Sequence, residues 1–310
     1  MKQTQLAAGV VMVEPRDFGF NEDTAADNAF QHHPDQDTKI TQKLAQTEFW
    51  AMVELLDKHH LEVVTLESPE GRVVTDAVFP NNWFTTTTTE LLVYPMKTTS
   101  RQAEVQIEPL IEALTRKGYK RPELIDLREQ GALDGVLEGT GVLIFNHPTR
   151  DVFANISDRC QATALESFCH KFEYTPWPFE AVTNILVPVY HTNVMMSCGE
   201  DFAVLAEDTL TANQLNHYSR QKLYELYNDV VVISETQMVE SFCGNILQVK
   251  NQRDEPQIVM SQAAFNGFTA AQIKTLEKHG ELVPCAIPTI EYVGGGSARC
   301  MIAEIFLEKA

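Results

Sequence analysis

The sequence predicts an α/β fold in which five similar units follow one another around a common axis. Five short blocks place small or polar residues ahead of an apolar, strand-like run, at intervals of 52 to 58 residues. They are "FPNNWFTTT" from Phe79, "LEGTGVLIF" from Leu137, "YHTNVMMS" from Tyr190, "FCGNILQV" from Phe242 and "GSARCMIAEIFL" from Gly296. A fixed period of this length indicates a repeated supersecondary unit. No Pro/Gly/Ser-rich linker separates the units, so we expect a closed ring in a single domain, 1–310.

Local patterns within each unit predict strands that alternate with helices, which is typical of an α/β protein. In the first unit, apolar residues at helical spacing predict a helix; they are Ile40, Leu44, Phe49, Met52, Val53 and Leu56. After Phe79 come the strand "ELLVYPM", a helical stretch over 101–117 that Pro109 starts or kinks, and the strand "ELIDL". "TAAQIKTLEKH" has Thr269 as a cap and Gly280 behind it. The N-terminal strand "GVVMVEP" is expected to complete the fifth unit.

Composition narrows the classes of function. The formal net charge of −19 argues against a nucleic-acid surface, which requires a basic stripe. The start "MKQTQLAAGVVMVEPRDFGF" is too weak for a secretory signal, and no apolar run approaches the ~18 residues of a membrane span. Six scattered cysteines without a CxxC pair indicate reduced thiols in a cytoplasmic protein. We expect no metal and no cofactor, and self-association into a homo-oligomer stays open.

In a ring, equivalent segments of the units face the axis, so residues far apart in sequence meet at one central site. Asn82, Glu138, His191, Asn193 and Cys300 all lie in or beside the blocks. A cysteine thiolate is a strong nucleophile, and a histidine beside a carboxylate is a general acid and base. The residue types therefore fit covalent catalysis by a cysteine.

Each of these residues also has an ordinary structural explanation. Cys300 fits a buried core position, and Cys243 is an equally plausible thiol when block order is ignored, although we assign it to the core. A lone histidine is more often structural, Glu138 and Asn82 suit turns, and Arg101 and Arg159 suit the surface. The joint occurrence of the set at equivalent block positions favours the functional interpretation.

The motifs together resemble the amidinotransferase, or guanidino-modifying, superfamily, whose members are also called penteins. The resemblance is carried by "EPRDFGFNEDTA" (14–25), "FPNNWF" (79–84), "LEGTG" (137–141), "YHTNVMM" (190–196), "SFCGN" (241–245) and "GGGSARCMIAEIFL" (294–307). Within the superfamily, the sequence is most similar to the citrulline-utilization hydrolase branch. The resemblance implies a five-bladed α/β propeller with a buried cysteine-hydrolase site.

The resemblance also implies roles for individual residues. Cys300 would be the nucleophile, His191 the general acid and base, and Glu138 the carboxylate beside that histidine. The groups that grip the guanidino or ureido end of the substrate would be Asn82 and Asn193. Those that hold the α-carboxylate would be Arg101 and Arg159, an assignment that rests on spacing.

The two asparagines distinguish the substrates. Arginine deiminases have aspartates at both positions, because a buried cation requires carboxylate partners. A neutral ureido group requires donors and acceptors, and asparagine supplies both. We therefore expect hydrolysis of citrulline, a small amino acid, to ornithine, carbon dioxide and ammonia. The alternatives are an arginine or N-substituted arginine hydrolase, an amidinotransferase, and a non-catalytic propeller that acts as a binding module.

Overall fold

The computed structural model describes residues 4–26 and 28–310, and these residues form five three-stranded sheets. The strands are β1 (Gly9–Val13), β2 (Glu62–Leu66), β3 (Phe84–Thr86), β4 (Glu90–Val93), β5 (Glu123–Asp126), β6 (Ile144–Asn146), β7 (Asp151–Asn155), β8 (Thr175–Phe179), β9 (Met196–Cys198), β10 (Phe202–Leu205), β11 (Asp229–Val232), β12 (Leu247–Lys250), β13 (Pro256–Ser261), β14 (Glu281–Cys285) and β15 (Ala303–Ile305).

All five sheets share one topology. The central strand pairs antiparallel with one neighbour and parallel with the other, as in the orders β3-β4-β5, β6-β7-β8, β9-β10-β11 and β12-β13-β14. The fifth sheet has the order β15-β1-β2, and Gly9 of β1 lies opposite Ile305 of β15. The N-terminal strand therefore completes the last unit, as the sequence predicts.

The parallel pairs require helical crossovers, and helices follow each central strand. The helices are α1 (Glu22–Ala25), α2 (Thr38–Lys58), α3 (Thr99–Gln102), α4 (Ile107–Arg116), α5 (Gly139–Val142), α6 (Ala162–Phe172), α7 (Gln214–Leu226), α8 (Glu235–Ser241), α9 (Gln262–Gly267), α10 (Ala270–Leu276) and α11 (Pro288–Gly294). Short 3₁₀ turns cover Pro80–Asn82, Thr192–Val194 and Glu207–Thr209. Within the described residues, no helix is both long and apolar enough to cross a membrane.

Two helix predictions are confirmed and one needs correction. Thr269 caps α10 through a reciprocal capping box with Gln272. The stretch over 101–117 is two helices, α3 and α4, instead of one, and Pro109 lies in the first turn of α4, where a missing N–H costs little. Helix α2 exists, but Ile40 is 53% exposed.

The first turns of α2 bury small side chains in place of the predicted large ones. The buried stripe is Thr41, Ala45, Phe49, Met52 and Leu56, and Leu44 remains 38% exposed. Helix α2 contacts α11. Small residues at such a contact allow two helices to approach closely, which turns the stripe by one residue from the pattern expected of apolar residues alone.

The repeated blocks all lead into the first strand of a sheet. The 3₁₀ turn Pro80–Asn82 precedes β3, α5 precedes β6, and the turn Thr192–Val194 precedes β9. Helix α5 contacts both turns, and β15 contacts β3, as β9 contacts β6 and β12. The segments that enter these five strands therefore come together, and they carry the residues of the candidate site.

Candidate active site

Cys300 lies at the end of a glycine-rich turn that packs against an aromatic ring. The turn leaves α11 at Gly295, whose φ of +64° suits glycine. A Cβ atom at Gly294 would lie 2.7 Å from the Phe79 ring, and one at Gly296 would lie 2.9 Å from it. Only residues without side chains fit this approach, so the three glycines bring the Cys300 thiol, which is 4% exposed, into the interior.

Two side-chain amides donate hydrogen bonds to the Cys300 thiol. Asn193 Nδ2 lies 3.4 Å from Sγ, and Asn245 Nδ2 lies 3.2 Å from it. Burial raises the pKa of Cys300, and the Ser297 backbone, both amides and Arg299 oppose that rise by favouring the thiolate. The thiol is therefore neutral at rest but lies among donors that stabilise the anion.

Three buried side chains are hydrogen-bonded in a row, with the Glu138 carboxylate between His191 and Arg159. His191 Nε2 lies 2.7 Å from Glu138 Oε2, and Arg159 Nη1 donates to both Glu138 oxygens at 3.1 and 3.3 Å. The backbone N–H of Lys97 donates to Glu138 Oε1 at 2.9 Å. These contacts fix the carboxylate, and the carboxylate in turn fixes the orientation of the imidazole ring.

Burial and the neighbouring charges set the protonation states of Glu138 and His191. Burial alone would raise the pKa of Glu138, but the bond from His191 and the positive charges of Arg159 and Arg101 outweigh burial and lower the pKa to about 2. Burial lowers the pKa of His191, and the two arginines add to this effect against the pull of Glu138. At neutral pH the pair is a carboxylate and a neutral imidazole, which can accept a proton.

Arg101 lies beside two further carboxyl groups. Its Nε donates to Glu104 Oε1 at 2.7 Å, and Nη2 donates to the Phe79 carbonyl at 3.0 Å. Burial raises the pKa of Glu104 to about 8 and also raises that of Asp76, against the charge of Arg101. The Asn82 amide is satisfied when its oxygen accepts from Arg101 Nη1 at 2.9 Å.

One cavity joins most of the residues predicted from the sequence. Asn82, Arg101, Arg159, His191 and Cys300 line it, while Glu138 and Asn193 lie directly behind His191 and Cys300. The other lining residues are Thr24, Asn28, Asp76, Phe79, Tyr190, Gly294 and Gly296. The cavity volume is about 20 Å³, little more than one water molecule requires. An amino acid therefore enters only when neighbouring groups move.

Several buried polar atoms around the cavity lack hydrogen-bond partners among the described residues. They include Asp76 Oδ1, Asn81 Nδ2, Glu104 Oε2 and Asn193 Oδ1. A buried polar atom without a partner costs free energy, so such atoms cluster where a polar ligand completes them. In the described part of the chain, no group of three His, Cys, Asp or Glu side chains is arranged to hold a metal ion.

The other cysteines have a different environment. Cys243 Sγ lies 3.5 Å from the Ala264 carbonyl, and burial raises the pKa of Cys243 to about 12. The same value holds for the remaining thiols, which are Cys160, Cys169, Cys198 and Cys285. They remain thiols at neutral pH, and none of these five cysteines lines the cavity.

Sequence reasoning missed Asn245 and Asp76. Asn245 bonds the thiol, the Asn193 carbonyl at 2.7 Å and the Arg299 backbone N–H at 3.1 Å. The repeat contained a signal for it, because an aromatic residue precedes Asn82, Asn193 and Asn245 by three positions alike. Asp76 lies outside the aligned blocks, and the sequence held no comparable signal.

A family model described as "N,N dimethylarginine dimethylhydrolase, eukaryotic" matches residues 14–307, so the chain belongs to that family. This family is part of the guanidino-modifying superfamily that the motifs resemble, which confirms the resemblance. The chain is accordingly an enzyme, a hydrolase of carbon–nitrogen bonds other than peptide bonds. No curated protein matches the sequence.

Solved structures show the same fold at low sequence identity. The N-terminal domain of ArgZ, an arginine dihydrolase of cyanobacteria bound to substrate, has a TM-score of 0.71 and 16% identity, over 96% of this chain and 98% of that one. AgrE with L-arginine has a TM-score of 0.68 and 14% identity, over 96% of this chain and 40% of that one. An adduct of a dimethylarginine dimethylaminohydrolase has a TM-score of 0.63 and 14% identity, over 97% of this chain and 100% of that one.

Proposed function

We propose that this enzyme hydrolyses the ureido group of citrulline to ornithine, carbon dioxide and ammonia, as expected of the citrulline-utilization branch. One observation supports the proposal: Cys300 and His191 converge on a cavity where the two residues predicted to contact the reacting end are neutral amides, Asn82 in the cavity wall and Asn193 directly behind Cys300. A neutral ureido group can both donate to and accept from such amides.

In this proposal, binding of the substrate raises the pKa of His191, which is the general base. The α-carboxylate binds Arg101 and Arg159, because a guanidinium has five N–H donors and can engage a second carboxylate. Asp76, whose Oδ1 lacks a partner, accepts the α-ammonium group. The carboxylate then offsets the two positive charges that lower the pKa of His191, so the pKa rises towards neutrality.

The chemistry proceeds through a covalent intermediate. His191 takes the Cys300 proton, and the thiolate attacks the ureido carbon while the Asn193 and Asn245 amides stabilise the sulfur. His191 returns the proton to the departing nitrogen, and ornithine leaves a carbamoyl thioester. The imidazole next deprotonates a water, whose oxygen attacks the thioester carbon; the carbon–sulfur bond breaks, carbamate leaves, and His191 returns the proton to the Cys300 sulfur. Carbamate decomposes to carbon dioxide and ammonia.

Hydrolysis of arginine or of an N-substituted arginine is the second candidate. The matching family is named for the hydrolysis of dimethylarginine. ArgZ is described as an arginine dihydrolase, and the AgrE structure is a complex with L-arginine. The same thiol and imidazole serve that reaction, and amidino transfer would replace the water with an amine. The asparagines favour citrulline, because buried guanidinium groups are normally paired with carboxylates.

The proposal also covers the architecture of the protein and its location in the cell. We infer that the five sheets close into a five-bladed propeller that forms one domain, since β15 contacts β3, β9 contacts β6 and β12, and β1 pairs with β15 to join the two chain ends. The six free cysteines support a reducing, cytoplasmic location.

A release assay tests the substrate. Purified enzyme is incubated with citrulline, arginine, methylarginines and agmatine, and ornithine, citrulline, ammonia and methylamines are quantified, with Cys300→Ala as the blank. We expect equal amounts of ornithine and ammonia from citrulline at the highest kcat/KM of the set. A higher kcat/KM with arginine or a methylarginine would replace citrulline by the second candidate.

A further inference from the structure

A buried carboxylate lies directly beneath the turn that carries the nucleophile. Glu291 of α11 is 6% exposed, and its Oε1 accepts a 2.6 Å hydrogen bond from Ser297 Oγ, which is fully buried. We propose that Glu291 is a positioning residue that holds Cys300 in its reactive place through Ser297. The inference rests on the proposed function only in taking Cys300 as the nucleophile.

The Ser297 backbone forms hydrogen bonds with both the backbone and the thiol of Cys300. The Cys300 N–H donates to the Ser297 carbonyl at 2.9 Å, and the Met301 N–H donates to the same carbonyl at 3.3 Å. The Ser297 backbone also makes the hydrogen bond that most strongly opposes the rise in the pKa of Cys300 caused by burial. A shift of Ser297 therefore changes both the position and the acidity of the thiol.

The three glycines before Ser297 supply no side chain that could hold it. Gly294, Gly295 and Gly296 have no side chains, and glycine loses more conformational freedom on folding than any other residue. Ser297 is the first residue after them with a polar side chain, and Glu291 holds it by a short, charge-assisted bond. Packing against Phe79 and the 2.9 Å bond from the Tyr190 hydroxyl to the Gly295 carbonyl hold the glycines, and the carboxylate adds the side-chain bond that holds Ser297.

The helix that carries Glu291 is itself anchored at its N-terminus. Glu48 of α2 accepts hydrogen bonds from the Thr289 and Ile290 backbone N–H groups at 2.9 to 3.0 Å. These N–H groups belong to the first turn of α11, which has no intrahelical acceptors for them. Glu291 is therefore presented to Ser297 by a helix with a fixed start.

The strength of this bond depends on pH. Burial raises the pKa of Glu291 to about 7, bonds from Ser297 and Ser261 oppose the rise, and the charge of Glu48 adds to it. Cys243 and Cys285 also face the group, and both remain thiols. The carboxylate form predominates above pH 7, so the charge-assisted bond to Ser297 is lost as the pH falls through 7.

The experiment measures Cys300 itself. The rate of alkylation by iodoacetamide is followed for the Cys300 peptide by mass spectrometry between pH 5.5 and 10, with kcat, KM and Tm, in wild type, Glu291→Gln and Ser297→Ala. We expect both variants to alkylate roughly 10-fold more slowly at pH 7.5 with a higher pH midpoint, because a loosened turn stabilises the thiolate less. The loss is expected in kcat, with KM changed less than about twofold.

Cys285→Ala is the matched control, because it alters a buried group beside Glu291 without touching Ser297. It should lower Tm and leave the alkylation midpoint unchanged. Wild-type midpoints and kcat in both test variants would overturn the inference, as would an equal midpoint shift in Cys285→Ala. Ser297→Ala, which removes one oxygen atom, decides the matter where Glu291→Gln fails to fold. Absence of citrulline turnover by wild type contradicts the proposed function alone, since alkylation still reports on Glu291.

Discussion

At Cys300, burial and hydrogen bonding act against each other. Taking a thiolate out of water is unfavourable, yet Asn193 and Asn245 aim amide N–H groups at the sulfur. This balance keeps the thiol protonated at neutral pH, and in the proposed mechanism it becomes a thiolate only when the substrate and His191 are in place. Cys243, which lacks these amide donors, is held as an ordinary buried thiol.

The first prediction separates these two cysteines. Cys300→Ala should abolish turnover and leave Tm within a few degrees, because the sulfur lies against a polar cavity and fills little of the core. Cys243→Ala should keep activity and lose stability, by roughly 1–3 kcal/mol, since it opens a space in packed surroundings. Steady-state kinetics and thermal unfolding of both variants are the measurements. Activity in Cys300→Ala, or an equal loss in Cys243→Ala, would contradict the assignment.

The second prediction concerns the two amides, Asn82 and Asn193, that are proposed to contact the ureido group. Aspartate at Asn82 or Asn193 removes a donor and adds a charge, so the ureido oxygen would meet a carboxylate at a cost of about 1–3 kcal/mol. Asn82→Asp and Asn193→Asp should each lower kcat/KM for citrulline roughly 10-fold or more. The ratio of dissociation constants for citrulline and arginine, measured in a Cys300→Ala background, should move towards arginine. An unmoved ratio would remove the asparagines as readers of the ureido group.

Glu138 gives a prediction for pH. Its pKa in the folded protein, about 2, lies below its ordinary value of 4.5, so its ionisation stabilises the fold above pH 4.5 and this contribution is lost as the pH falls towards 2. The free energy of unfolding of Glu138→Gln should lie below that of wild type by about 3 kcal/mol at pH 6, and the gap should narrow at pH 3. Denaturant titrations at the two pH values test this. A gap that is constant with pH would show that Glu138 acts only through packing.

Among the elements, α5 is the one on which the site depends most directly. A Cβ atom at Gly141 would lie 2.5 Å from the Asn82 side-chain amide and 3.0 Å from the His191 ring. We predict that Gly141→Ala displaces both side chains and lowers kcat by at least about 100-fold, a loss typical of small misplacements in an active site. Gly19→Ala, whose Cβ would meet its nearest atom at 4.0 Å, is the control and should remain active. Equal kcat in the two variants would contradict the role of α5.

The sequence predicted the elements well where the repeat carried the information. The block positions identified the segments before β3, β6, β9 and β15, and with them the residues around the cavity. The pattern failed where contact partners decide burial, as at Ile40 of α2, which packing on α11 leaves exposed. Asp76 could not be predicted, because its place in the cavity depends on how the loop before Phe79 folds back towards Arg101.

At the scale of the whole molecule, the site is closed. The cavity of about 20 Å³ does not admit citrulline, and two of its lining residues, Thr24 and Asn28, belong to the connection between β1 and α2. Thr24 and Asn21 contact Asp76 at 3.5 and 2.7 Å, so this connection is fastened to the group proposed to bind the α-ammonium. Binding of citrulline therefore requires lining groups to move apart, and we expect binding to be coupled to the stability of the protein.

The last prediction uses this coupling of binding to the stability of the whole protein. A ligand that binds only the folded form stabilises it by RT ln(1 + [L]/Kd), which is about 2.7 kcal/mol at 100 Kd. For a chain of 310 residues this corresponds to a rise in Tm of roughly 4 °C. In Cys300→Ala, which cannot turn over, citrulline should raise Tm in this way, and arginine should do so only at higher concentration. Agmatine lacks the carboxylate that Arg101 and Arg159 are proposed to bind, and it should have no effect at the same concentration. A larger shift with arginine than with citrulline would make arginine the preferred ligand, and an equal shift with agmatine would place both arginines outside the binding site.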